Sequence, residues 1–128
     1  MKLEIINDGD IFECSADALV FPASNSPKIY GTLDGQVYKK AGEKELLETR
    51  KSIGNTGGLE NGKADITDSF DLKEKYKYLI HTAVPEYKSG HSYRKLKNCY
   101  ISSLRCAEKK PDFCSVSRSR SRCFKVFV

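Results

Sequence analysis

Apolar and polar positions change period several times along this chain, and each change marks an expected element. KLEIIN (residues 2–7) carries strand-type residues and runs into the turn signal NDGD. DALVFPAS (17–24) is a short apolar run closed by proline and serine, the pattern of a buried strand that ends in a loop. From Leu33 the period becomes helical: Val37, Ala41, Leu46 and Leu47 fall near one face among Lys and Glu, and Gly42 divides the run into two helices. A glycine-rich connection (54–62) leads to KADITDSF (63–70), read as a strand, and KYLIHTAV (77–84), read as a buried one. A last helix follows, with Tyr93, Leu96, Tyr100, Leu104 and Ala107 at helical spacing. Strands mixed with amphipathic helices predict an α/β sandwich whose sheet is covered on both faces. Such a sheet calls for another strand after the last helix, and the sequence offers no convincing one.

At 128 residues the chain fits one domain with one core. No stretch is apolar for long enough to span a bilayer, and the first residues lack the apolar run of a signal peptide, so no membrane partner and a cytoplasmic location are expected. The five cysteines are scattered, with no CxxC pair and no Cys/His spacing for zinc. They read as reduced and structural, and neither a metal nor a cofactor is expected. Charge is unevenly placed. Six of the 22 basic residues and one of the 17 acids lie from Lys109 onward, which leaves 16 of each before it. The body is neutral and gives no support for a basic groove that would hold nucleic acid.

GGLENGKA (57–64) has the GxxxxGK spacing of a phosphate-binding loop, but that loop needs a strand before it, Ser or Thr after the lysine and a helix beginning there. Here a helix precedes, Ala64 follows Lys63 and a strand begins, so a solvated loop is the reading. His81 lies in an apolar strand with no triad partners, as a packed, hydrogen-bonded histidine would. The first third is more informative. It holds an acid in a turn (Asp10 with Ile11), polar Ser24 and Asn25 where a buried strand ends, and a glycine loop (Gly31, Thr32) leading into a helix. Open α/β sheets bind ligands at the carboxyl ends of their strands, and a helix N-terminus offers N–H groups to phosphate.

The order GDI, DALVFPASN, YGTLDGQVYKKAG, ADITDSF, KYLIHTAVPEY and LKNCYISSL resembles the macrodomains, the ADP-ribose-binding family, over roughly residues 1–108. The resemblance implies a three-layer α/β/α sandwich with a mixed sheet. It implies ADP-ribose or an ADP-ribosylated protein as partner, and in some members hydrolysis of ADP-ribosyl esters or O-acetyl-ADP-ribose. Carried onto this chain, Asp10 would pair with the adenine amino group beside Ile11, and Ser24 and Asn25 would face the distal ribose. The loop around Gly31, with Thr32, would lie along the diphosphate and distal ribose. Asp34 is the candidate for orienting or activating a water, and with Asn25 makes the catalytic pair. His81 and Thr82 match the family's IHT strand, in a structural role. Two positions depart from the pattern: Ser24 stands where hydrolysing members usually carry Asn, and the loop has fewer glycines.

The largest departure is FCSVSRSRSRCFKVFV (113–128), where the family continues with a strand, a glycine-rich diphosphate loop, and a further strand and helix. Residues 1–110 therefore read as an incomplete macrodomain without its C-terminal strand and helix, and 111–128 as an atypical basic Ser/Arg tail. Codon possibilities suggest that the tail is a frameshifted remnant of the loop segment. Two alternatives stay open: an inactive truncated fragment, and a protein that binds nucleic acid through its three Ser-Arg dipeptides.

Overall fold

A computed structural model describes residues 5–29, 31–53, 58–85, 92–110 and 124–126. Four strands form one mixed sheet: β1 (Ala16–Ala23), β2 (Ala64–Asp68), β3 (Tyr76–Ala83) and β4 (Phe124–Val126), in the order β2-β3-β1-β4. β1 runs parallel to β3 and to β4, while β2 is antiparallel to β3. Helices α1 (Thr32–Ala41) and α2 (Glu43–Lys51) lie on one face and α3 (Ser92–Glu108) on the other, which makes the three layers expected of the sequence.

The alternation of β1 and β3 sorts their apolar residues between two cores. Leu19, Phe21 and Leu79 face α1 and α2 and meet Val37, Tyr38, Ala41 and Leu46. Ala18, Val20 and Ile80 face α3 and meet Cys106 and Ala107. Leu19, Phe21, Leu46 and Leu79 are wholly buried, and each contributes about 1.5–3 kcal/mol of transfer free energy. α1 ends at Gly42, whose N–H bonds back to Tyr38 O and which also begins α2, so the expected break falls where the glycine is.

Three expectations are corrected. KLEIIN is not a strand over its described part: Ile5 and Ile6 lie in irregular chain and are 75% and 51% exposed. The rest of that segment lies outside the described residues. In α3 the buried residues are Cys99, Ser103, Cys106 and Ala107, whereas Tyr93 and Tyr100 are exposed. Small side chains face the sheet because the chain approaches closely there. A Cβ on Gly62 would lie 3.3 Å from Lys95 O and 3.4 Å from Asn98 Cβ. The thiols work as weak donors in that contact, Cys99 to Ala83 O and Cys106 to Ala64 O.

Third, a strand does follow the last helix. β4 pairs Phe124, Lys125 and Val126 with Ala18, Leu19 and Val20. Three residues of the expected tail therefore belong to the sheet; the SRSRSR run lies outside the described residues.

Candidate functional site

The carboxyl ends of β1 and β3 lie side by side, with Ala23 opposite Ala83, and the first residues beyond β1 are Ser24 and Asn25. Ser24 is half-buried and Asn25 exposed. Their loop is tightly held. Ser24 Oγ accepts the Ser26 N–H, Lys28 N–H bonds to Ser26 O, and Asn25 O accepts the Leu59 N–H at 2.8 Å. From the helical layer Arg50 Nη2 donates to Ser24 O at 2.9 Å.

Gly31 caps α1 at φ +83°, a conformation that favours glycine. It is exposed, and no atom lies within 4 Å of where its Cβ would be, so the first turn of α1 opens to solvent there. Thr32 is the first residue of α1. Asp34 sits in that first turn, where a carboxylate is favoured by the helix dipole. It is only 2% exposed and turned into the layer between helices and sheet. Tyr38, one turn on, feels Asp34 and Arg50; burial first and Asp34 second push its hydroxyl up to about 12, so it stays protonated. Arg50 is 1% exposed. Burial pulls its pKa down, and the opposing attractions come from Tyr38, Asp65 and Asp34.

Asp10 lies elsewhere. It is exposed and caps the 3-10 turn Ile11–Glu13, with Oδ1 accepting the Phe12 N–H at 2.9 Å. Ile11 is buried. That turn is anchored at the amino end of β3: Tyr76 Oη donates to Ile11 O, and Lys75 Nζ to Phe12 O. Ser24 and Asn25 thus follow β1 at the carboxyl edge and Gly31 opens the first turn of α1, whereas Asp34 is buried beneath, related to Ser24 through Arg50, and Asp10 and Ile11 lie on a separately anchored turn.

His81 is fully buried, its ring edge-on to Phe21 at 4.7 Å. Its Nε2 lies 3.0 Å from Thr67 Oγ1, and that hydroxyl donates to Asp68 O. Nε2 must therefore carry the proton and donate, which leaves Nδ1 as a bare acceptor, in keeping with its lack of a partner among the described residues. Burial, then Arg50, pushes its pKa down to about 3, so the ring is neutral. It is a packing residue, as its sequence context suggests. Thr82 is 5% exposed.

Sequence reading missed Arg50, Tyr38, Asp65 and Leu59. Arg50 had a signal: it falls four residues after Leu46, on the apolar face of α2. Asp65 and Thr67 alternate with Ala64 and Ile66 in β2, a polar face toward α2. Lys63 precedes a strand rather than a helix, which agrees with the loop reading of GGLENGKA. Among the described residues no group of three His, Cys, Asp or Glu side chains is placed to hold a metal ion, and no helix is long and apolar enough to cross a membrane.

The profile of the family described as Macro domain matches residues 20–117. A macro domain-containing protein of Xanthomonas axonopodis is 33% identical over 113 residues, which cover 85% of this chain and 62% of that protein. ADP-ribose glycohydrolase MACROD2 of Mus musculus is 38% identical over 104 residues, 79% of this chain and 21% of that protein. The solved structure of the Trypanosoma brucei macrodomain in complex with ADP-ribose matches with a TM-score of 0.63 at 27% identity, over 79% of this chain and 40% of that one. The chain spans 62% of the length of its Xanthomonas axonopodis and Listeria monocytogenes relatives.

Proposed function

The chain belongs to the macro domain family, and from that premise we propose that it binds ADP-ribose, free or attached to protein, along the carboxyl edge of its sheet. The observation that carries this reading is the pairing of an open, glycine-capped helix N-terminus with the fixed polar loop after β1. Backbone N–H groups at Gly31 and Thr32 suit the diphosphate. Ser24 and Asn25 suit the distal ribose, and an adenine amino group would meet the Asp10 carboxylate, with Ile11 beside it, only if the ligand extends from this edge to the turn at the amino end of β3. Relatives whose names and titles carry ADP-ribose support the choice of ligand. Calorimetry with ADP-ribose tests it. Saturable heat is expected, with weaker heat from ADP, and no heat at millimolar ADP-ribose would overturn the reading.

A second reading, hydrolysis of ADP-ribosyl esters, is favoured by the relative named as a glycohydrolase. In it Asp34 orients or activates the attacking water and Asn25 holds the distal ribose, which needs a water beside the anomeric carbon. Release of ADP-ribose from a modified protein is its measurement, and binding without release would reject it.

A further inference from the structure

We propose that Arg50 is the positioning residue of this edge: its guanidinium fixes the carbonyl of Ser24, and through it the loop that presents Ser24 and Asn25 to the ligand. The proposal rests on the ADP-ribose reading and assigns Arg50 a role through the loop rather than through contact with the ligand.

A guanidinium buried to 1% exposure costs a large desolvation energy and persists only where its charge and donors are met. Here one donor is spent on a main-chain carbonyl at the point where β1 ends. Ladder pairing with β3 stops at Ala23, so Ser24 O is the first carbonyl beyond the pairing, and Arg50 takes it at 2.9 Å. The next carbonyl, Asn25 O, is taken by Leu59 N–H from the opposite connection. Two anchors from distant segments thus grip adjacent peptides, and the side chains of Ser24 and Asn25 inherit their direction from that grip.

The charge has its own use. Asp34 of α1 and Asp65 of β2 both attract Arg50, so one cation relates the loop, the first turn of α1 and the sheet. Arg50 also stands in the last turn of α2, where the helix dipole favours a cation. A planar fork serves several partners at once, which a lysine ammonium on a flexible stem does less well. A ligand held by ribose hydroxyls depends on such support, because polar groups displaced by about 1 Å lose their bonds.

The test uses the full chain with Arg50→Lys, and Arg50→Gln as second variant. Amide exchange by NMR without ligand is paired with ADP-ribose calorimetry. In Arg50→Lys the amides of Leu59 and Ser26 are expected to exchange at least tenfold faster, while those of Leu79 and Ile80 keep their wild-type protection. Affinity for ADP-ribose is expected to fall at least tenfold, and Arg50→Gln to give larger changes in both. Unchanged exchange at Leu59 and Ser26, a uniform rise that includes Leu79 and Ile80, or a loosened loop with unchanged affinity overturns the proposal. So does failure of both variants to fold, which would assign Arg50 to the fold as a whole. If the wild-type chain gives no heat with ADP-ribose, the ligand reading falls, and the exchange at Leu59 and Ser26 alone decides whether Arg50 positions the loop.

Discussion

His81→Leu should flatten the acid side of the protein's stability curve. The folded ring titrates at about 3 because burial and Arg50 disfavour its cation, whereas in the unfolded chain it titrates near 6.5. As pH falls below 6.5 the unfolded chain takes up a proton that the folded chain does not, so stability present above 6.5 is lost progressively down to about 3. Between pH 7.5 and 5 the loss from this one ring is about 2 kcal/mol, and toward pH 3 it approaches roughly 5 kcal/mol. That is a large fraction of the 5–15 kcal/mol typical of a domain. Leucine removes the titration and the Thr67 bond together, but the bond is worth only about 1 kcal/mol and does not depend on pH. It shifts the whole curve without changing its slope. Urea unfolding at pH 7.5 and pH 5, followed by circular dichroism, gives the comparison. Wild type should lose about 2 kcal/mol more than the variant across that interval. Equal losses in both proteins would mean that His81 is not held neutral, and the tautomer assigned through Thr67 and Asp68 would fall with it.

Gly62→Ala should lower stability by about 2 kcal/mol, a fall in Tm of roughly 5–10 °C. Its φ of +89° strains alanine, and its Cβ would press on Lys95 O at 3.3 Å; a melting curve like that of wild type would show that α3 does not sit so close. Gly31→Ala meets no neighbour within 4 Å, so only the backbone strain of about 1–3 kcal/mol remains. Its ADP-ribose affinity should nevertheless fall more than tenfold, and an unchanged titration would place the diphosphate elsewhere. Asp34→Asn keeps shape and removes charge, and should cut any release of ADP-ribose by roughly 100-fold or more; release at the wild-type rate would remove Asp34 from the chemistry.

What the sequence reveals and what it hides follow from the kind of signal each residue carries. β1 and β3 were legible because both are buried on two faces and read as continuous apolar runs. The split of α1 from α2 was legible because Gly42 interrupts one helical period. The buried face of α3 was legible only in part: Ala107 and the structural cysteines Cys99 and Cys106 are buried as expected, whereas Tyr93 and Tyr100, at helical spacing with them, are exposed. The large apolar set, Tyr93 and Tyr100, loses to the small set because Gly62 brings the chain too near for bulk. β4 was overlooked because FKV is short and comes just after the Ser/Arg run, and its place is set by pairing with Ala18, Leu19 and Val20. Ser24, Asn25, Gly31 and Asp34 are candidates named from the order of the motifs and the resemblance it carries. The burial of Asp34 could not be read in advance, because an acid in a first turn satisfies the helix dipole whichever way it faces.

The burial of Asp34 gives the edge its division of labour. On the helical side of the sheet, Leu19, Leu79 and Leu46 form an apolar part, while Asp34, Tyr38, Arg50, Thr67 and His81 form a polar part reaching to the loop after β1. Burying those groups adds little net stability, since desolvation offsets most of each bond. What they supply is definition, because each buried polar group accepts few geometries. Lesions in the apolar part should therefore lower Tm with little change in ligand affinity per folded molecule. Lesions in the polar part should disturb affinity out of proportion to Tm. The loop after β1 is partly buried, with Asn25 and Lys28 exposed, and Arg50 and Leu59 hold its carbonyls, so its shape is set by those contacts.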